Sequence, residues 1–235
     1  MCRSGQAISK MNQSFQRLDE SFFAKFHTPL RFKKNQTIFW PDRQPSGVFY
    51  VKSGFIRQYL VSKDGKELTV NILKPEAYFP LIWALNNVSN VYLYECLTEV
   101  TLLKAPRENV VKQLENSPEL LYDLTKRILS GLDGITQMME TLLTGTAHQQ
   151  IASVILVLAK RFGKSTDGKA VVIGIPLTHR LISTLAGLSR ESTSLELGKL
   201  TKKKILSKKN GFMQVNDLEN LEKEALVTPA DNIIL

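Results

Sequence analysis

The hydrophobic period of this chain changes at Pro106, and that change sets what it can fold into. Between residues 30 and 104 apolar and polar residues alternate; beyond Pro106 the apolar ones recur at helical spacing for about 55 residues. Strand-length runs followed by helix-length runs give an α+β architecture of separate modules rather than one mixed sheet.

The alternating runs cover residues 31–34, 37–40, 48–51, 55–61, 67–72, 92–97 and 100–104. Turn formers separate them: Asp42, Pro45 and Gly47, then Ser53 and Gly54, then Asp64-Gly65, which sits where a tight hairpin turn belongs. Short strands at this spacing predict an N-terminal antiparallel, jelly-roll-like β-barrel. An amphipathic helix over residues 15–27, carrying Phe15, Leu18, Phe22, Phe23 and Phe26, precedes it.

Past Pro106, Ser117 is positioned to cap a helix that has Pro118 at its first position and Glu119 in its first turn. A heptad follows. Leu121, Ile128, Ile135 and Leu142 fall in one register and Thr125, Leu132 and Met139 in the other, a narrow stripe that calls for a matching stripe on a second copy. The same helix lying on its own domain is the alternative. Gly131 and Gly134 weaken it by roughly 1 kcal/mol each if exposed, so packing must compensate. Gly145 ends the helix, and an apolar helix follows over 148–161. A polar loop at 163–168, a strand at 171–175 and a two-stranded wing around Lys208-Lys209-Asn210-Gly211 come next. Residues 216–226 close the chain as a helix, and the tail from Val227 is expected to be loose.

Between the strand at 171–175 and the wing lies a helix-turn-helix pattern. Leu177, Leu181, Ile182 and Leu185 mark a first helix that Gly187 can stop, because glycine tolerates a left-handed backbone. Ser189 can cap the second helix, turning Leu188, Leu197 and Leu200 inward and Arg190, Glu191 and Ser194 outward. Polar side chains at the N-terminal end of a helix suit the major groove, where arginine bonds guanine bidentately and glutamate accepts from cytosine. An ordinary helical hairpin shares this pattern. Charge separates the two: residues 160–211 hold twelve lysines and arginines against three acids, while the rest of the chain balances at 19 of each. The whole excess of +9 therefore surrounds this element, as expected of a phosphate-binding surface.

In order and spacing, the chain resembles the CRP/FNR family of bacterial transcription regulators. The resemblance rests on Phe49-Tyr50-Val51-Lys52-Ser53-Gly54, Lys63-Asp64-Gly65-Lys66-Glu67, Leu73-Lys74-Pro75 with Phe79, Leu177-Thr178, Leu188-Ser189-Arg190-Glu191-Ser192, Leu197 and Leu200. It implies a cyclic-nucleotide-binding-like sensor domain over 1–115, a dimerisation helix over 116–145 and a winged helix-turn-helix domain over 146–235. Arg190, Glu191, Ser194 and Leu195 would then meet bases, and Thr178, Ser189, Ser192, Lys199 and Lys202 phosphates. Partners would be double-stranded DNA with a palindromic operator, a second copy of the chain and RNA polymerase.

Departures from the family pattern matter as much. Many members carry arginine where Leu195 stands, and leucine can touch a thymine methyl but cannot bond guanine. Cyclic-nucleotide members hold the phosphate with Gly-Glu and Arg-Ser pairs; here Pro80-Leu81 and Asn90-Val91 replace them, removing the cation and a backbone donor. The effector is expected to be something other than cyclic AMP, or absent. Phe79, Leu81, Trp83, Asn90 and Tyr92 are candidate lining for an apolar effector pocket, or pack shut.

Other classes find little support. Cys2 and Cys96 cannot supply the four thiolates of an iron–sulfur cluster, and His27, His148 and His179 lack ligand spacing, so neither a metal nor a cofactor is expected. A nucleophile with its base, paired carboxylates and a glycine-rich phosphate loop are all missing, which argues against an enzyme. A sensing module acting on a protein partner remains the alternative to a DNA-binding regulator, and the basic segment weighs against it. Two cysteines, no apolar run in residues 1–10 and no apolar stretch of about 18 residues lead to the expectation of a cytoplasmic protein with no membrane partner.

Overall fold

The computed structural model describes residues 18–41, 43–166 and 170–226. Eight strands form the N-terminal half: β1 (Leu30–Phe32), β2 (Thr37–Phe39), β3 (Val48–Ser53), β4 (Ile56–Val61), β5 (Glu67–Leu73), β6 (Tyr78–Phe79), β7 (Leu93–Cys96) and β8 (Val100–Ala105). They make two antiparallel four-stranded sheets, ordered β1-β8-β3-β6 and β2-β7-β4-β5. Between them Phe39, Phe49, Phe79 and Tyr94 stack with ring centroids 4.6–6.0 Å apart. Asp64-Gly65 turns the β4–β5 hairpin as expected, with Gly65 at φ 75° and Ser62 N–H donating to the Lys66 carbonyl at 2.8 Å.

The opening helix is shorter than its sequence predicts. Among the described residues of that stretch, 18–27, α1 (Glu20–Phe23), capped by Asp19, is the helical part, and Phe15 lies outside the described residues. Its aromatics are held by packing instead, Phe23 stacking on Tyr50 of β3 at 5.4 Å and Phe22 meeting its near neighbour Phe26 at 5.3 Å, which suits residues of modest helix propensity.

Helices α2 (Leu81–Asn86), α3 (Arg107–Glu115), α4 (Pro118–Thr144) and α5 (Ala147–Phe162) follow in chain order. Ser117 does not cap α4: its hydroxyl accepts from Gln113 Nε2 at 3.3 Å, and the helix begins on Pro118, which has no N–H to satisfy. Along α4, Leu124, Gly131, Gly134 and Thr141 face the protein, whereas Leu121, Ile128, Leu132, Ile135 and Met139 face out and Leu142 is half-buried. Helix α5 opens with a capping box between Thr146 and Gln149 and buries most of its length, including Ile151, Ile155 and Leu158.

The C-terminal half corrects one further expectation and extends another. Residues 163–166 are strand β9 (Gly163–Thr166) rather than loop, paired with β10 (Ala170–Ile173). The wing strands β11 (Leu206–Lys209) and β12 (Phe212–Val215) pair with each other as expected and also join β10 and β9, in one four-stranded sheet ordered β11-β12-β10-β9. Pairing Val171 with Val215 and Val172 with Gln214 occupies backbone groups that a separate β10 would leave open. Helix α8 (Leu218–Glu224), capped by Asp217, closes the half, and the tail from Val227 lies outside the described residues.

Candidate nucleic-acid interface

Two short helices and a three-residue turn build the interface. Helix α6 (His179–Ala186) starts on Thr178, whose hydroxyl accepts from Leu181 N–H at 3.1 Å, and ends on Gly187 at φ 65°. Helix α7 (Arg190–Lys202) starts on Ser189, which accepts from Ser192 N–H at 3.1 Å. Leu197 and Leu200 are buried and Leu188 packs against the same core, so the back of α7 is fixed to α5 and β11.

Its front is open. Arg190 and Glu191 are exposed, and Leu195 is 61% exposed, unusual for a leucine on a well-packed helix. Ser194 is half-buried and tied to His179 Nδ1 at 2.7 Å, which holds α6 and α7 at a fixed distance. Ser189 bonds the Ser192 hydroxyl at 3.0 Å, Lys199 pairs with Glu196 at 2.7 Å, and Lys202 is exposed. The wing carries exposed Lys208 and Lys209, and its turn is made by Asn210 and Gly211 at φ 51° and 82°.

Behind α7 lies a charged network that single-residue reasoning missed. His148 places Nδ1 2.8 Å from Glu196 and Nε2 2.8 Å from Glu224, and Lys203 bonds Glu224 at 2.7 Å. Burial alone would raise the Glu196 carboxyl, but the bonds from Lys199 and His148 outweigh it and hold the group below its ordinary value. A carboxyl whose folded pKa lies below its unfolded one, about 4.3, adds stability that is present above that pH and lost as pH falls through the folded value. Glu196→Gln should therefore lower stability at neutral pH and flatten its loss in acid, read as urea midpoints across that range.

The five sensor-domain candidates do not share one space. Phe79 lies inside the aromatic stack with Tyr92 against it; Leu81 and Trp83 pack into a second cluster with Phe22 and Tyr50. Asn90 folds onto its own loop, donating to the Tyr92 carbonyl at 2.7 Å. Cys96 is buried in the sheet core, and burial pushes its thiol up to about 11, where it stays protonated and inert.

Strand β5 instead touches the DNA-reading half directly. Glu67 accepts from Arg180 of α6 at 2.6 Å and from Arg57 at 2.8 Å; Thr69 meets Thr184 at 2.8 Å; Arg161 of α5 donates to Asn71 at 3.1 Å and to the Ile72 carbonyl at 3.2 Å.

Known proteins share this layout. A cyclic nucleotide-binding domain matches residues 29–117, and a Crp-like helix-turn-helix domain matches residues 149–224. The global nitrogen regulator of Nostoc sp. is 30% identical over 179 residues, 75% of this chain and 79% of that protein. The transcriptional regulator SdrP of Thermus thermophilus is 27% identical over 201 residues, 83% of this chain and 92% of that one. A crystal structure of a CRP/FNR-family regulator, also from Thermus thermophilus, superposes with a TM-score of 0.67 at 26% identity, covering 86% of this chain and all of that one. No helix among the described residues is long and apolar enough to cross a membrane. With a barrel, a long helix and a winged helix-turn-helix in the same order as these regulators, the chain belongs to the CRP/FNR family of transcriptional regulators.

Proposed function

We propose that the chain acts as a homodimer that places two copies of α7 in successive major grooves of a palindromic operator, about 34 Å apart. The observation that carries this is the exposure of Arg190, Glu191 and Leu195 on one face of a helix whose opposite face is locked into the core. Arg190 reads guanine, Glu191 cytosine and Leu195 a thymine methyl, with Ser194 beside them. Thr178, Ser189, Ser192, Lys199 and Lys202 meet phosphates, and the two helix N-termini add their own pull on anions. The three units are the sensor over 1–115, the dimer helix over 116–145 and the reader over 146–235.

The dimer forms through Leu121, Ile128, Leu132, Ile135, Met139 and Leu142 of α4, whose outward apolar stripe supports that reading. An effector other than cyclic AMP acts on this helix and on the β5–α6 contacts, shifting the reader relative to the dimer axis. A surface of RNA polymerase completes the partner set, with the cytoplasm as the place of action. Selection of duplexes from a random pool tests the core claim: a palindrome is expected, and the absence of any preferred sequence would sink it. On the selected duplex, Lys202→Ala should weaken binding to all sequences alike and lower the salt slope by about 1 per half-site.

A further inference from the structure

A hollow of about 180 Å³ lies where β5, the second half of α4 and α5 meet, with Leu185 of α6 at one side and Ile135, Met139 and Leu142 of the proposed dimer seam at its edge. Most of its wall is apolar, and one charge is set into it: Arg161. Both hydrogen-bond acceptors of that guanidinium, Asn71 and the Ile72 carbonyl, are neutral, and no carboxylate among the described residues forms an ion pair with it. Burial pulls its pKa down to about 10, as expected of a cation that has lost water without gaining an anion. Arg57 shows the contrast: more fully buried than Arg161, it holds Glu67 at 2.8 Å and Glu95 at 3.5 Å. The cavity wall also carries Gln137, whose Nε2 donates to Asp133 while its buried Oε1 has no partner among the described residues.

A cation whose hydrogen-bond partners are all neutral, set in an apolar hollow, suits the carboxylate of a small organic acid, while the Gln137 oxygen can take only a donor and must lie away from that carboxylate. We propose that this cavity binds a small carboxylic acid with an apolar body, its carboxylate on Arg161 and its hydrocarbon against Met138, Val157 and Leu158. A cavity on the order of 150 Å³ holds a benzene ring. The space here admits an aryl or medium-chain acid of about ten non-hydrogen atoms. It is also distinct from the region of Phe79 and Trp83, whose side chains fill other clusters. Such a ligand touches β5, α4, α5 and α6 together, so it favours the arrangement in which they are docked. That consequence for DNA rests on the regulator reading above; the binding does not.

The test titrates the full chain, without DNA, by calorimetry with octanoate and phenylacetate, and with octanol and phenylacetamide as uncharged counterparts. One acid per chain is expected, with the uncharged compounds about tenfold weaker or worse. Arg161→Gln should erase that difference. Val157→Phe fills the cavity and leaves Arg161 in place; it should abolish binding while circular dichroism and melting stay as in the parent. Equal binding of acids and neutral counterparts, undiminished binding by Val157→Phe, or no acid bound at millimolar concentration would each overturn the proposal. A shift in the dimer equilibrium of Val157→Phe without acid binding would overturn it too, assigning the space to side chains of a second copy. Operator binding on the same preparations separates the two claims. Acid bound with no operator bound removes the regulator reading alone; the reverse removes the site alone.

Discussion

Ile128→Glu with Leu132→Glu will convert the protein to a monomer and cost operator affinity about 10²–10⁴-fold, because the second half-site then loses the effective concentration that linkage supplies. Both side chains are exposed on α4, Leu132 at 58%, and neither belongs to the cores of the chain itself. The fold of each chain should therefore survive. Sedimentation gives the oligomeric state, circular dichroism the helix content, and a titration of labelled operator the affinity. A variant that stays dimeric, or one that is monomeric yet binds the palindrome as the parent does, would refute the seam.

Arg190→Ala should remove sequence preference rather than binding. A bidentate contact between arginine and guanine discriminates by about 1–3 kcal/mol, so each half-site should lose roughly 5- to 150-fold against its own mutated base pair. Affinity for random duplex should change far less, since Lys202, Lys203, Lys204, Lys208 and Lys209 remain exposed. Equal losses on operator and random DNA would reassign Arg190 to the phosphates. The decisive measurement is a pair of titrations at one stated salt concentration.

Local signals were the readable ones. Asp64-Gly65, Gly187, Ser189 and Asn210-Gly211 mark turns and caps because each position needs a left-handed backbone or a side-chain acceptor, and only a few residue types supply either. The α4 stripe was readable for the same reason, as a period. Strand β9 was hidden, since Lys164 and Ser165 are polar and exposed and owe their strand form to β10. Helix α1 fell short of its pattern because packing on Tyr50 holds its aromatics without helical extension. The contacts that place the reader on the sensor lie outside any local pattern: Glu67 and Arg180 are 113 residues apart, and Asn71 and Arg161 are 90. Gly131 and Gly134 looked like weak points of a coiled coil; they are buried, and they line the cavity against β5.

The four bonds between β5 and the DNA-reading half differ in what they cost to break, and that orders the motions available to the molecule. Arg180 is 70% exposed and would recover water at once on leaving Glu67, which keeps Arg57 as its partner; an exposed pair of this kind is worth about 0.2–1 kcal/mol. Arg161 is half-buried and makes two hydrogen bonds, both to acceptors on β5, which must break together. The inexpensive movement is a swing that opens at the Arg180 edge and pivots about Arg161, like a door whose latch is weak and whose hinge is strong.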